Sequence, residues 1–238
     1  NFDKDEKMNN RNWKIVSIIA FLFVSLTASA IKDKEVEKVV KANVEKIKAG
    51  GTEDDKAQLL SLLHETVKLA EENEQYDEVM DCYASIIVYL TYIESIEMAI
   101  SELHDMRSFV ERTGANSAKL YNAWQNIVLI YFNTHDMLHA VDQFYDLQRY
   151  AAKMNDYFGL SLAYTAMGII TSYSYEDAYS NISIALENLK KCDDRSNEYY
   201  NYYILAHSAM AEKLYDKALM HVDQMLACED KPPFVSVY

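Results

Sequence analysis

Glycine and proline are nearly missing from this chain, with 5 Gly and 2 Pro in 238 residues. Both prolines, Pro232 and Pro233, stand at the very end, and neither residue type occurs between Thr52 and Arg112. Sheet folds reverse direction often, and their turns draw on these two residues. Their scarcity excludes a strand-rich architecture and leaves helices joined by very short polar links. Leu, Ala, Glu, Lys and Met supply the helix formers. The expected fold class is all-α.

Positive charge is also scarce. Lys and Arg number 23 against 37 Asp and Glu, for a formal net charge of −14. Such a chain repels nucleic acid, and no basic stripe overrides that. The acidity reads first as solubility and a solvated outer surface, and less as a site for a cationic ligand. With 50% hydrophobic and 25% charged residues, disorder is excluded. Catalytic motifs are lacking as well. There is no phosphate-binding glycine loop and no GxSxG, and Gly50-Gly51 reads as a helix stop. Neither enzymatic activity nor a cofactor is expected.

One long apolar run is present. Arg11 and Lys14 precede Ile15 to Leu26, and Ala28-Ser29-Ala30 follows with the small-x-small form of a signal-peptidase site. An apolar helix of that length rises about 18 Å, short of a ~30 Å hydrocarbon core. Residues 8–30 therefore read as a signal peptide cleaved after Ala30, with an uncleaved N-terminal anchor as the alternative. No Cys follows the run, so lipidation is not supported. Residues 1–7 read as upstream translated sequence. Residues 31–230 are the expected repeat domain, and 231–238 the start of a linker in a chain expected to continue. The expected location is the periplasm, or the periplasmic face of the inner membrane. Membrane contact is expected only through the N-terminal segment or a span beyond residue 238.

An alanine recurs about every 40 residues, at Ala57, Ala99, Ala140, Ala178 and Ala218. Each is expected early in the second helix of a pair, where a small residue lets two helices approach. The clearest unit runs from Tyr121 to Met154. Trp124, Ile127, Val128 and Tyr131 lie on one helix face, Asn133-Thr134-His135-Asp136 forms a link with Thr134 as the expected cap, and Ala140, Phe144 and Leu147 follow. The last unit repeats it with Tyr202, Leu205, Ala206 and Ala209, then Leu214-Tyr215-Asp216-Lys217-Ala218, with Tyr202 expected in the core. Tyr175-Glu176-Asp177-Ala178 is the same entry one unit earlier. There Met167-Gly168 stands two residues too close to Ala178, so either the link is contracted or Ala166 is the equivalent position. Tyr83, Ile86, Ile87 and Leu90 with Ala99, Leu103 and Met106 form a weaker unit. The weakest, about 34–72, keeps Ala57 with Leu59, Leu60, Leu63 and Val67.

This pattern resembles the tetratricopeptide repeat (TPR) over about residues 34–230, with Val128 in place of its Gly and Leu147 in place of its last Ala. The resemblance implies a right-handed α-solenoid of about five antiparallel helix pairs, with the first helices lining a groove for a protein or peptide. Its register puts Asn122, Gln125 and Phe132, Ala163 and Met167, and Tyr200, Tyr203 and His207 on the groove side. The Lys, Asn and Arg of the family's peptide-carboxylate clamp are lacking. A signal followed by such repeats resembles the periplasmic input region of bacterial membrane sensors. The expected function is thus non-catalytic sensing for a histidine kinase or transcription regulator, with a free-standing envelope adaptor as the alternative.

Two smaller features complete the reading. His135 and His139, at i and i+4, could share a metal with Asp136 or Asp142, but read first as surface histidines. Cys192 and Cys228 could pair in an oxidising compartment, while Cys82 reads as buried packing.

Overall fold

The computed structural model describes residues 34–229, so the expected signal (8–30), the residues before it and the expected linker (231–238) lie outside the described residues. Ten helices and no strand occur among the described residues. They are α1 (34–49), α2 (Lys56–Glu72), α3 (Tyr76–Tyr92), α4 (Ile96–Thr113), α5 (Ala118–Asn133), α6 (Met137–Lys153), α7 (Tyr157–Ile170), α8 (Tyr175–Leu189), α9 (Glu198–Ala211) and α10 (Tyr215–Ala227). A short 3-10 turn, Glu53–Asp55, leads into α2. The fold class is all-α. No described helix is long and apolar enough to cross a membrane.

The links explain how the chain reverses without glycine. Five of them have three residues, and the middle one is left-handed: Glu74, Glu94, His135, Asn155 and Lys213, with φ between 53° and 62°. In each, the N–H of the last link residue returns to a carbonyl of the preceding helix, as in Gln75 to Ala70 at 2.9 Å, Ser95 to Leu90 at 2.8 Å and Leu214 to Ala209 at 2.8 Å. This closes the orphan carbonyls of the helix end. The left-handed conformation costs an L-residue about 1–2 kcal/mol, yet only Asn155 is a residue type that tolerates it well. Among the described residues, glycine is left-handed at Gly50 and Gly114, each the first residue after its helix.

The chain divides into two compact units, one ending at Cys82 and one starting at Tyr83. In the first unit, α1 buries Val40, Val44 and Ile47, and α2 buries Leu59, Leu63, Thr66 and Ala70. Ala57 is exposed, which corrects its expected place in the repeat. It stands at the second position of α2, whereas Ala99, Ala140, Ala178 and Ala218 each stand at the fourth of their helix and are buried. Leu59 holds the fourth position in α2.

In the second unit, consecutive helices from α4 to α10 pack on one another, and α7 also touches both α5 and α9. The even-numbered helices bury one stripe in a constant register: Ala99, Leu103, Met106 and Val110; Ala140, Phe144, Leu147 and Ala151; Ala178, Ile182, Ala185 and Leu189. Positions i, i+4, i+7 and i+11 lie on one face of a helix, so each stripe is a single packing surface. The same register describes Leu59, Leu63, Thr66 and Ala70. In α10 it fades, since Ala218 is buried but Val222 and Met225 are only half-buried.

Two glycines mark close approach. A Cβ on Gly159 would fall 2.6 Å from the ring of the buried Tyr121, and one on Gly168 would fall 2.4 Å from Ile182. Gly168 therefore packs directly on α8. The link before α8 is not contracted: residues 171–174 make it one residue longer than the three-residue links, and it is α7 that stops early, two residues past Gly168, whereas α5 runs five past Val128.

Candidate functional site

Helix α9 is apolar on the side it shows as well as on the side it hides. Tyr199, Asn201, Ile204, Leu205, Ser208 and Ala209 are buried. Tyr200, Tyr203, His207 and Met210 are exposed, and at i, i+3, i+7 and i+10 they form one stripe. Contiguous exposed apolar surface of this kind marks a contact site more often than a solvated face.

Hydrogen bonds between amides, hydroxyls and carbonyls, with one carboxylate among them, fix where that stripe points. The Thr165 hydroxyl on α7 donates to Asn201 Oδ1 on α9 at 2.8 Å, and the amide of Asn197 donates to Thr165 at 3.1 Å. Nearer the other end, Ser208 donates to the carbonyl of Ser172 at 2.7 Å. Gln125 on α5 donates to the carbonyl of Leu162 on α7 at 3.1 Å, and Ser117 donates to Asp156, the N-cap of α7, at 2.7 Å. These bonds join residues 32 to 39 apart in the chain. They tie each odd-numbered helix of the unit to the next one at the repeat distance.

The stripe borders a cleft of about 170 Å³ lined by Ile169, Ser172, Tyr200, Tyr203, Ile204 and His207. The rings of Tyr200 and Tyr203 lie 14° from parallel with centroids 6.0 Å apart, and His207 stands 6.2 Å from Tyr203. At 42% and 48% exposure these two tyrosines offer flat, rigid area to an incoming group. Burial, with a smaller push from Tyr203, raises the Tyr200 phenol above its usual value, so the ring stays neutral.

Three of the eight groove residues expected from the sequence thus meet in one place: Tyr200, Tyr203 and His207. The other five are placed differently. Gln125 is half-buried and occupied by its bond to α7. Asn122 is exposed and donates to the Ala118 carbonyl of its own helix. Phe132 and Met167 are half-buried. Ala163 is fully buried and presents no surface. Ile169, Ser172 and Ile204 were not foreseen. Ile169 and Ser172 follow Gly168, and the early end of α7 hides their register.

A second cluster escaped the sequence reading. His221, only 2% exposed, accepts from the Tyr175 hydroxyl at Nε2 (2.9 Å) and faces Gln224 Oε1 with Nδ1 (2.8 Å). An amide oxygen only accepts, so this pairing assigns the proton to Nδ1. The rings of Tyr175, Tyr179 and Tyr202 surround the imidazole at 5.9 to 6.5 Å. Burial holds the His221 pKa below its ordinary value. Tyr202 is half-buried against this cluster rather than sealed in the core. Spacing alone does not announce the cluster, because Tyr175 and His221 are 46 residues apart.

The remaining candidates are occupied locally. His135 sits at a left-handed link position outside the helix, so it does not share a helical turn with His139. His139 Nδ1 lies 2.6 Å from Asp136, and its ring stacks on Tyr131 at 5.2 Å. Asp136, not Thr134, caps α6, while Thr134 ends α5 and bonds back to Ile130. Cys82, Cys192 and Cys228 are not joined by disulfides, and the last two donate to the carbonyls of Asn188 and Gln224. A larger cavity of about 510 Å³ near Tyr202 contains Arg195, which is held by both carboxylate oxygens of Glu198 at 2.9 Å.

No family model matches the chain, and no curated protein matches it. Among solved structures, the chain is similar to BtubC (BKLC) from P. vanneervenii, with a TM-score of 0.52 and 16% identity over 86% of this chain and 92% of that one. At that identity the likeness speaks for a shared helical fold and for nothing else.

Proposed function

We propose that this chain is a non-catalytic protein- or peptide-binding domain built as a TPR-type right-handed α-solenoid, which takes its partner on the face formed by α7 and α9. The exposed stripe of Tyr200, Tyr203, His207 and Met210 beside the cleft carries this reading. Hot-spot residues of interfaces are enriched in tyrosine because it offers large area for little rotamer entropy. The constant register of the even-numbered helices and the bonds between α5, α7 and α9 support the solenoid, since each pair needs its neighbour to cover its apolar face.

Within that reading, the wider role is periplasmic input to a membrane signalling protein, a histidine kinase or a transcription regulator. The positive, apolar and small-residue succession at 11–30 supports export. A free-standing exported adaptor has the same support and differs only in lacking an effector domain, so the gene sequence past codon 238 separates the two.

A photo-crosslinking amino acid at position 203, compared with one at the exposed Tyr145 of α6, tests the binding face in the producing cells. The expected result is a discrete crosslinked product from position 203 alone. Equal products from both positions, or none from 203, would refute the assignment.

A further inference from the structure

The face that carries the tyrosine stripe is almost free of charge, although the protein as a whole is strongly acidic. Helix α7 has no charged residue at all, α5 has only Lys119, and α9 only Glu198 besides His207. Lys119 and Glu198 both lie in the first turn of their helices, and Glu198 is held by Arg195. The even-numbered helices hold the charge instead. Helix α6 carries Asp142, Asp146, Arg149 and Lys153, and α8 carries Glu176, Asp177 and Glu187. The bonds between neighbouring odd-numbered helices likewise use amides and hydroxyls, with Asp156 the one carboxylate among them.

From this segregation we infer that the α7–α9 face selects an uncharged, extended peptide segment with aliphatic or proline side chains. The inference rests on the binding role proposed above and narrows it. A charged side chain entering the cleft loses water and finds no Asp, Glu, Lys or Arg among its lining residues, Ile169, Ser172, Tyr200, Tyr203, Ile204 and His207, which opposes its burial. An aliphatic or pyrrolidine group loses nothing of that kind and gains the faces of two near-parallel tyrosine rings. A cleft of about 170 Å³ accommodates one such side chain rather than a whole small molecule. The acidity of the chain thus lies away from this face, where it acts as solubility and not as a lure for a basic ligand.

The test is a peptide array with three classes of ten-residue peptides: uncharged aliphatic and proline-containing, Lys/Arg-rich, and Asp/Glu-rich. It is probed with the full chain and with its Tyr203→Ala and Tyr200→Ala variants. Both side chains are exposed enough for the variants to keep the fold, and unchanged melting curves verify it. The expected result is binding in the uncharged class that weakens about tenfold in either variant. Between about 50 and 500 mM NaCl it changes less than about twofold. Tyr203-dependent binding confined to a charged class and lost in salt would overturn the inference while leaving the binding face intact. Binding in no class that depends on Tyr203 or Tyr200 would overturn both.

Discussion

The five glycine-free links predict that the protein can be stabilised by substitutions that touch nothing. Glu94 between α3 and α4 and Lys213 between α9 and α10 are exposed, with φ of 60° and 61°. Each bears the left-handed cost of about 1–2 kcal/mol that glycine does not bear. Glycine returns about 0.4–1 kcal/mol of this through the greater freedom of the unfolded chain. The difference leaves Glu94→Gly and Lys213→Gly each more stable by about 0.5–1 kcal/mol, and the two links share no partners, so the effects should add. With a urea m-value of about 2 kcal/mol/M, each substitution raises the midpoint by about 0.3–0.5 M. Urea unfolding followed by far-UV circular dichroism reads this directly. Glu94→Ala is the control, because alanine bears the same backbone cost and should stay within about 0.5 kcal/mol of the parent. Glu94→Pro should cost about 3 kcal/mol or more, since its ring forbids positive φ. If Glu94→Gly is no more stable than Glu94→Ala, the link is not left-handed and the account of how these helices reverse is wrong.

Three further outcomes follow from the packing. Gly159→Ala should lower stability by about 1–3 kcal/mol in the same urea assay, because a Cβ would enter the buried Tyr121 ring and its gain in helix propensity is smaller than the overpacking. Asp156→Ala should cost about 1–2 kcal/mol, since its carboxylate accepts from the amides of Phe158 and Gly159 and from the hydroxyl of Ser117. His221 should make the protein acid-sensitive. Its folded pKa lies below the ordinary value of about 6.5, so the unfolded chain binds the proton first. Stability from this group is full above about pH 6.5 and is lost as pH falls through that value to the lower folded pKa. The melting temperature of the parent should therefore drop more steeply from pH 7.5 to 5 than that of His221→Gln, and equal slopes would rule the histidine out.

Much of the fold was legible because helix periodicity is a local signal. The stripes of Ala99, Leu103 and Met106 and of Ala140, Phe144 and Leu147 were read from spacing alone, and the structure buries each as one face. The first unit misled because Ala57 is an alanine at the wrong position. The register passes through Leu59, and a leucine there carries no mark that distinguishes it from Leu60 or Leu63. The left-handed links were invisible for a related reason: Glu94 and Lys213 have no compositional signature of positive φ, and only the tertiary packing on either side forces it. At the site, Tyr200, Tyr203 and His207 were found because one helix carries all three. Ile169 and Ser172 were not, because they lie where α7 stops early, two residues past Gly168, and a four-residue link follows. His221 was missed because its partners come from three helices.

The distribution of polar groups between odd and even helices follows from what each set must do. An odd-numbered helix in the second unit touches its sequence neighbours and also the next odd helix, as α7 does with α5, α6, α8 and α9. Crowded on so many sides, it can satisfy a buried amide or hydroxyl with one or two neutral partners, as Thr165 is satisfied by Asn201 and Asn197, but a buried ion would need several. Charge is therefore expelled to the helices that keep an open side, and what remains exposed on α9 is aromatic by default as much as by selection. The same crowding leaves α7 and α9 a neutral face, so a partner of the proposed kind needs shape and apolar area more than charge. A substitution such as Met210→Glu, at the exposed end of the stripe, should accordingly leave the urea midpoint nearly unchanged, because it is solvated in the free protein. It should weaken binding of an uncharged peptide by about tenfold, because the carboxylate must then lose water without a partner. A variant that binds as well as the parent would show that the ligand does not lie along α9.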